Sequence, residues 1–316
     1  MSTDTSPPSL GLRMRSGLSF DIEEREDNAM IGCLHTLLRQ GKAYRCGDYL
    51  RRSKTYNGEQ RKRKDSLIDE NCREKMVEWT YKVSDHFHIP REIVACAISC
   101  LDRFVEGCAC DRTAFKLAAM TSLYIATKTL NGKQISINTL AELSRGEFSS
   151  AHIAEMELIM LDTLKWKLSP PTVQTFIRQM LVLMPTRRNF ELIHDRAMFL
   201  AELSAFDYAF VPHDRHLIAL GCVLVSAQAV LDDVLVDFCK MNTLEILRTE
   251  YDTSLDKDLL DNVQQRLLYL YARSTEIQYN DLSQINLTNN NFATGQPQKR
   301  HFDLVSSPVS VIQKSH

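Results

Sequence analysis

Apolar residues recur every three to four positions along most of the chain, and the two-residue alternation of strands is nearly absent. Met30, Leu34, Leu37 and Leu38 mark one stripe of a helix running from about Glu24 to Gln40, which Gly41 stops. From residue 69 the spacing predicts a succession of helices of about four turns each. Cys72, Met76, Trp79, Val83 and Phe87 form the stripe of the first. Pro90 suits the opening turn of the second, where Ile93, Ala97, Leu101 and Phe104 face inward, and Asp111 caps a third that holds Leu117 to Lys128. A shorter fourth lies near Ile137 to Ser144, and Gly146 with Ser149 announces a fifth that reaches about Leu164.

Leu168-Ser-Pro-Pro-Thr172 interrupts the pattern, since its two prolines hold an extended turn before a new helix can start. Beyond it, Leu217 to Ala227 repeats the character of Leu117 to Thr127 one hundred positions later. Both segments are apolar, with small residues that let neighbours approach closely. The period is too long for a solenoid, so the expectation is two copies of one small helical bundle, the second ending near Tyr271. The fold class expected is all-α: two tandem five-helix bundles at 69–168 and 169–272, preceded by a helix and basic linker at 24–68. The ends, 1–23 and 273–316, carry Pro, Ser, Asn and Gln without clear periodicity and are expected to be disordered.

At 316 residues the chain exceeds a typical single core, which agrees with two units. A formal net charge of -2 argues against a dedicated nucleic-acid binder that relies on whole-domain basicity. The longest apolar run, Leu217 to Leu231, contains Ser226 and Gln228 and falls short of the roughly 20 residues of a membrane span. Nine scattered cysteines and a polar start without a signal peptide point to reduced thiols in the cytosol or nucleus. Cys108-Ala-Cys110 lacks a second Cys or His cluster, so neither a metal nor another cofactor is expected. His86 and His88 beside Asp85 form the best cluster for catalysis. No glycine-rich phosphate loop, zinc-helix motif or nucleophile elbow accompanies them, and they read as helix-end residues before Pro90. No catalytic residue is assigned.

Two charges stand apart from this background, each at the edge of a helix that otherwise reads as core. Lys128 closes the uncharged stretch Leu117 to Thr127, and Glu157 sits inside the apolar run Met156 to Leu161. Their surroundings suit an ordinary helix-terminal lysine and a solvated glutamate, or a cation and an anion placed for a partner.

The motifs Cys72-Arg-Glu-Lys-Met-Val-Glu-Trp79, Cys100-Leu-Asp-Arg-Phe104, Ala126-Thr-Lys128 and Met156-Glu157 decide between these readings, because on them the chain resembles a cyclin. The resemblance covers roughly residues 25–272 and is clearest in a first cyclin box at 69–166. The quartet Leu101-Asp-Arg-Phe104 is similar to that of D-type cyclins. The resemblance implies two tandem cyclin-box bundles and a non-catalytic subunit that forms a heterodimer with a cyclin-dependent serine/threonine kinase and activates it. Arg73 and Asp102 would pair between the first two box helices, Leu117 would support the third, and Lys128 with Glu157 would face the kinase. Such kinases need a Lys–Glu pair between a strand and a regulatory helix, and docking of the box holds that helix inward. Lys128 would then donate to main-chain carbonyls of the kinase, and Glu157 would accept from its main-chain amides.

Departures from the family pattern also carry information. Cyclins commonly follow the interface lysine with two acidic residues, whereas this chain has Thr129-Leu-Asn-Gly132. Cys72, Met76 and Trp79 match the apolar positions of the patch on which many cyclins dock Arg-x-Leu motifs. Lys75 replaces an aliphatic residue there, and Lys82 stands where an acid usually pairs with the arginine. Two lysines would repel a cationic peptide, so this candidate docking patch is expected either to be weakened or to prefer non-standard, acidic or phosphorylated motifs. The basic run of Arg61, Lys62, Arg63 and Lys64 fits a nuclear import signal, a phosphate-binding patch or a solvated basic linker. The expected localisation is nucleus and cytoplasm. Arg15-Ser-Gly-Leu18 has the form of a degradation box, and Ser6-Pro7 and Ser307-Pro308 that of proline-directed phosphorylation sites. Transcription-associated cyclins and general transcription factors with the same double bundle are the alternative class. The latter should add a zinc ribbon and a more basic box, which this sequence does not show.

Overall fold

The computed structural model describes residues 17–51, 68–130, 135–184, 189–248 and 257–289, and among these no strand occurs. A long first helix, α1 (Gly17–Gly41), ends in a 3-10 turn, Lys42–Tyr44. The first bundle is α2 (Glu70–His86), α3 (Arg91–Gly107), α4 (Arg112–Leu130), α5 (Ile137–Leu143) and α6 (Ser150–Thr163). The second is α7 (Val173–Val182), α8 (Phe190–Phe206), α9 (Arg215–Gln228), α10 (Asp233–Arg248) and α11 (Lys257–Asn289), with a 3-10 turn at Tyr208–Phe210.

Local chemistry places most of these boundaries. The Asp69 carboxylate accepts from Cys72 N at 2.7 Å and caps α2. Asp111 does the same for α4 through Ala114 N at 2.8 Å. Ser149 and His152 cap α6 reciprocally, and Thr172, the last residue of the proline-bearing break, caps α7. Such caps satisfy amide donors that a helix start leaves without partners.

In each bundle one helix runs through the centre. Residues 118–127 of α4 are all buried, as are residues 216–227 of α9. These are the two segments related by the hundred-residue repeat. The small residues in them have a direct use in α9: a Cβ on Gly221 would come within 2.7 Å of Val263 Cγ1 on α11. The α9–α11 crossing therefore depends on glycine at that point.

Three expectations need correction. The inward stripe of α2 is Arg73, Val77, Thr80, Tyr81, Val83 and Ser84, whereas Cys72, Met76, Trp79 and Phe87 lie half-buried along its flank. Apolarity misplaced the stripe because its centre is an arginine. The expected tails also give way to helix, since α1 starts at Gly17 rather than near Glu24, and α11 continues past Tyr271 to Asn289. Neither helix contains a proline, and no glycine falls within α11, so nothing in either extension stops a helix once it is nucleated. Finally, the apolar run on α6 is not core. Met160 is fully buried, but Leu158 is 69 % and Ile159 45 % exposed.

The separate first helix packs as part of the second bundle. Leu34 and Leu38 are buried in the same core as Phe176, Ile177 and Met180 of α7. The His35 ring bonds to Ile246 O at 3.1 Å, and Gln179 Nε2 donates to Met30 O at 2.9 Å. The 45–51 segment then crosses to the junction between the bundles.

Candidate functional site

Arg73 and Asp102 meet side-on between α2 and α3, with Nε to Oδ1 and Nη2 to Oδ2 both at 2.9 Å. Their side chains are 3 % and 8 % exposed. A guanidinium carries five N–H donors, and one carboxylate can take only two of them side-on. The remainder turns to the second bundle: Arg73 Nη1 donates to Ala205 O at 2.8 Å and Phe206 O at 3.4 Å, at the C-terminal end of α8. Asp102 Oδ1 also accepts from Tyr49 Oη at 2.9 Å. The Tyr49 ring meets Tyr208 edge-on at 5.2 Å, and the Tyr208 hydroxyl accepts from Leu50 N and donates to Asp48. Burial opposes the Arg73 charge, yet the Asp102 carboxylate and its hydrogen bonds overcome that and push the guanidinium pKa up. Burial, then the neighbouring Asp102 charge, raise the pKa of the Tyr49 phenol, which keeps it a neutral donor.

This node is therefore an inter-bundle joint as well as a link between two box helices. Other polar bonds line the same seam. Arg91 at the start of α3 holds both Asp85 and Glu202 of α8, and Glu92 accepts from Thr172 and Thr175 at 2.7 Å each and from Arg178. Sequence reasoning missed Tyr49, Tyr208, Arg91 and Glu92. The donor count of a buried arginine was the available signal for further acceptors.

Lys128 and Glu157 occupy a different setting. Lys128 Nζ donates to Glu157 Oε1 at 3.0 Å, joining the end of α4 to the middle of α6. The expectation placed them side by side before a partner and did not foresee that they pair with each other. Lys128 is 50 % exposed and also lies 5.4 Å from the centre of the Tyr124 ring, while Glu157 is 14 % exposed. The hydrogen bond to Glu157 and the charge behind it hold the Lys128 pKa above the ordinary lysine value. Leu117 sits half-buried one face away, packed with the cluster of Leu123, Tyr124 and Ile153.

Bare apolar side chains share these helices. Leu130 is two residues beyond Lys128, Leu158 and Ile159 follow Glu157, and Trp166, 72 % exposed, lies just past α6. Lys165 and Trp166 have φ of 50° and 59°, a left-handed pair that turns the chain sharply after the helix. Non-glycine residues in that region are strained by about 1–3 kcal/mol each and persist only where surroundings enforce them. Exposed apolar residues close in sequence to a charged pair have the composition of an interaction surface.

The candidate docking patch lies on the flank of α2. Cys72 and Met76 pack against the α3–α4 core around Phe104 and Phe115, and Trp79 against the cluster of Val83 and Tyr124. Lys75 and Lys82 are exposed, but Lys82 Nζ reaches Glu78 Oε1 at 2.6 Å. Glu78 thus offsets one of the two charges expected to repel a cationic peptide.

The candidate import signal, Arg61, Lys62, Arg63 and Lys64, lies outside the described residues, as do Arg15, Ser6 and Ser307 of the other short motifs. Among the described residues, no group of three or more His, Cys, Asp or Glu is placed to hold a metal ion, and no helix is long and apolar enough to cross a membrane. All nine cysteines are free thiols.

The structure is an all-helical double bundle that exposes a charged pair and several apolar side chains on the same two helices and the turn after them. Comparison with known proteins adds a likeness. Residues 46–169 match the family model described as "Cyclin, N-terminal domain". Over that stretch, which is less than half of the chain, the sequence is similar to the cyclin N-terminal domain. A G2/mitotic-specific cyclin-1 of Medicago sativa subsp. varia is 28 % identical over 156 residues, covering 49 % of this chain and 36 % of that protein. Cyclin-O protein B of Xenopus laevis is 26 % identical over 204 residues, covering 62 % and 54 %. The chain thus spans between about a third and somewhat over half the length of these curated relatives. A solved viral cyclin from Herpesvirus saimiri aligns at 16 % identity with a TM-score of 0.46, covering 65 % of this chain and 90 % of its own. The relatives named here are of mitotic and cyclin-O type, and the D-type likeness rests on the Leu101–Phe104 quartet alone.

Proposed function

We propose that this chain is the regulatory subunit of a cyclin-dependent serine/threonine kinase, which it binds as a heterodimer and activates to control cell division. The observation that carries this reading is the Lys128–Glu157 pair on helices α4 and α6, which together with the turn after α6 also expose Leu130, Leu158, Ile159 and Trp166. In the complex the apolar side chains cover the kinase's regulatory helix. Lys128 and Glu157 exchange their mutual bond for main-chain carbonyls and amides of the partner, and phosphoryl transfer remains the kinase's chemistry. The names of the mitotic relatives favour a mitotic role. The basic residues Arg61, Lys62, Arg63 and Lys64 favour passage between cytoplasm and nucleus. The patch of Cys72, Lys75, Met76, Trp79 and Lys82 recruits substrates or inhibitors whose motif differs from plain Arg-x-Leu.

Reconstitution with purified cyclin-dependent kinases tests this. One of them should gain peptide phosphorylation on adding the chain. Lys128→Ala or Glu157→Ala should each weaken that complex by about 1.5–3 kcal/mol, the scale of hydrogen bonds to charged groups, with helicity unchanged. Unchanged affinity in both native-like variants would sink the assignment of the site. In the same complex a plain Arg-x-Leu peptide should bind no tighter than millimolar, and micromolar binding would refute the altered patch.

A further inference from the structure

Between the two bundles, at the start of α9, lies a cavity of about 90 Å³. That is far above the roughly 10–15 Å³ that a single water needs, and leaves room for one tetrahedral oxyanion. Its wall carries an unusual balance of charge. Asp102 is paired side-on with Arg73, and Asp214 with Arg45 through Nε at 2.6 Å and Nη2 at 2.5 Å. Arg215 remains a lining cation whose bonds go only to uncharged acceptors, Tyr44 O at 2.8 Å and Ser99 Oγ at 2.6 Å. Two bonds leave most of its five donors unused. Burial, with Arg103 nearby, lowers the pKa of Arg215, and the Asp102 charge offsets only part of that. The charge is desolvated without a carboxylate bonded to it, a costly arrangement unless an anion completes it.

A second polar residue lines the same space. Gln174 is 5 % exposed, lines the cavity, and its Oε1 has no hydrogen-bond partner. Buried amide groups are rarely left so. An amide turned so that its NH2 faces the cavity would add donors to those of Arg215 there. The half-buried His213 ring adds an uncharged N–H donor, since burial lowers its pKa.

We propose that this inter-bundle cavity binds a phosphate group, held by Arg215 and Gln174. Arginine matches phosphate oxygens with paired N–H bonds, and here the ligand supplies the missing counter-charge at the seam. Binding there ties α3, α7 and α9 together and so stiffens the joint between the bundles.

The full chain is titrated with inorganic phosphate at constant ionic strength, with chloride as the reference salt, following the thermal midpoint and the heat of binding. A saturable response to phosphate alone is expected, weakened at least tenfold in Arg215→Met and about fivefold in Gln174→Leu. A phosphoserine peptide forms the second arm. Tighter binding than free phosphate assigns the group to a phosphorylated protein, and equal or weaker binding assigns it to the free ion. A response that chloride reproduces, or one undiminished in the variants, overturns the proposal. Should Arg215→Met fail to fold, the neutral Gln174→Leu change decides alone.

Discussion

Two ion pairs within the first bundle, Arg73–Asp102 and Lys128–Glu157, differ in nearly every physical respect. Arg73–Asp102 is buried, side-on, and surrounded by a tyrosine hydroxyl and two carbonyls from the other bundle. Lys128–Glu157 is a single contact between a half-exposed lysine and a shielded glutamate, among apolar residues that face solvent. The first pair has used most of its bonding capacity inside the chain. The second has capacity left, since a lysine carries three donors and a carboxylate about four acceptor sites. Burial with satisfaction makes a joint, whereas exposure with spare valence makes a contact surface.

The largest expected effect tests the joint. Arg73→Ala leaves Asp102 and Tyr49 facing each other without a cation, and removes the bonds to the end of α8. Breaking one partner of a buried pair costs about 3–5 kcal/mol. Chemical denaturation should show that loss, together with earlier release of the second bundle. A loss below about 1 kcal/mol would place the pair with ordinary surface bridges and end the contrast.

Acid provides the next test. His216 is buried at the same junction, packed edge-on against Phe176, and burial lowers its pKa from 6.5 to about 4. Above pH 6.5 both folded and unfolded chains hold it neutral. Between pH 6.5 and 4 the unfolded chain takes up a proton that the folded chain refuses, so stability falls as pH falls, by about 2 kcal/mol at pH 5. His216→Gln should flatten that slope. The exposed pair behaves oppositely: the raised Lys128 pKa gives a contribution present throughout this range and lost only above the ordinary lysine value. A denaturation midpoint that ignores pH from about 7 to 5 would contradict the buried, neutral histidine.

Sequence alone made one of these regions more legible than the other, for reasons that lie in chain distance. Helix starts at Asp69, Asp111, Ser149 and Thr172 were readable because a cap acts on an amide three residues away. The two central helices were readable because an uncharged run of that length must be buried on every side. Contacts between residues far apart in the chain left no local trace. Nothing near Arg73 announces carbonyls at 205 and 206, and nothing in 24–40 says that α1 belongs to the second core. On α6 the reading erred because five apolar residues in a six-residue run cannot share one face of a helix, and the surplus, Leu158 and Ile159, points outward. That surplus is the feature on which the proposed docking face rests.

The smallest effect discriminates most finely, because it concerns the free chain before any partner arrives. Lys128→Ala and Glu157→Ala, made singly and together, close a cycle that isolates their mutual energy from their separate surroundings. Half-exposed pairs of this kind are worth about 0.2–1 kcal/mol, and salt screens them. The coupling in folding stability should fall in that range at low ionic strength and fade towards zero near 1 M salt, where charges are screened over about 3 Å. Weak coupling is what the docking role requires, since whatever binds the two residues to each other must be given up when they turn to a partner. A coupling of about 3 kcal/mol that survived salt, a size proper to buried pairs, would make Lys128–Glu157 a second structural joint. The kinase-facing assignment would then have to rest on Leu158, Ile159 and Trp166 alone.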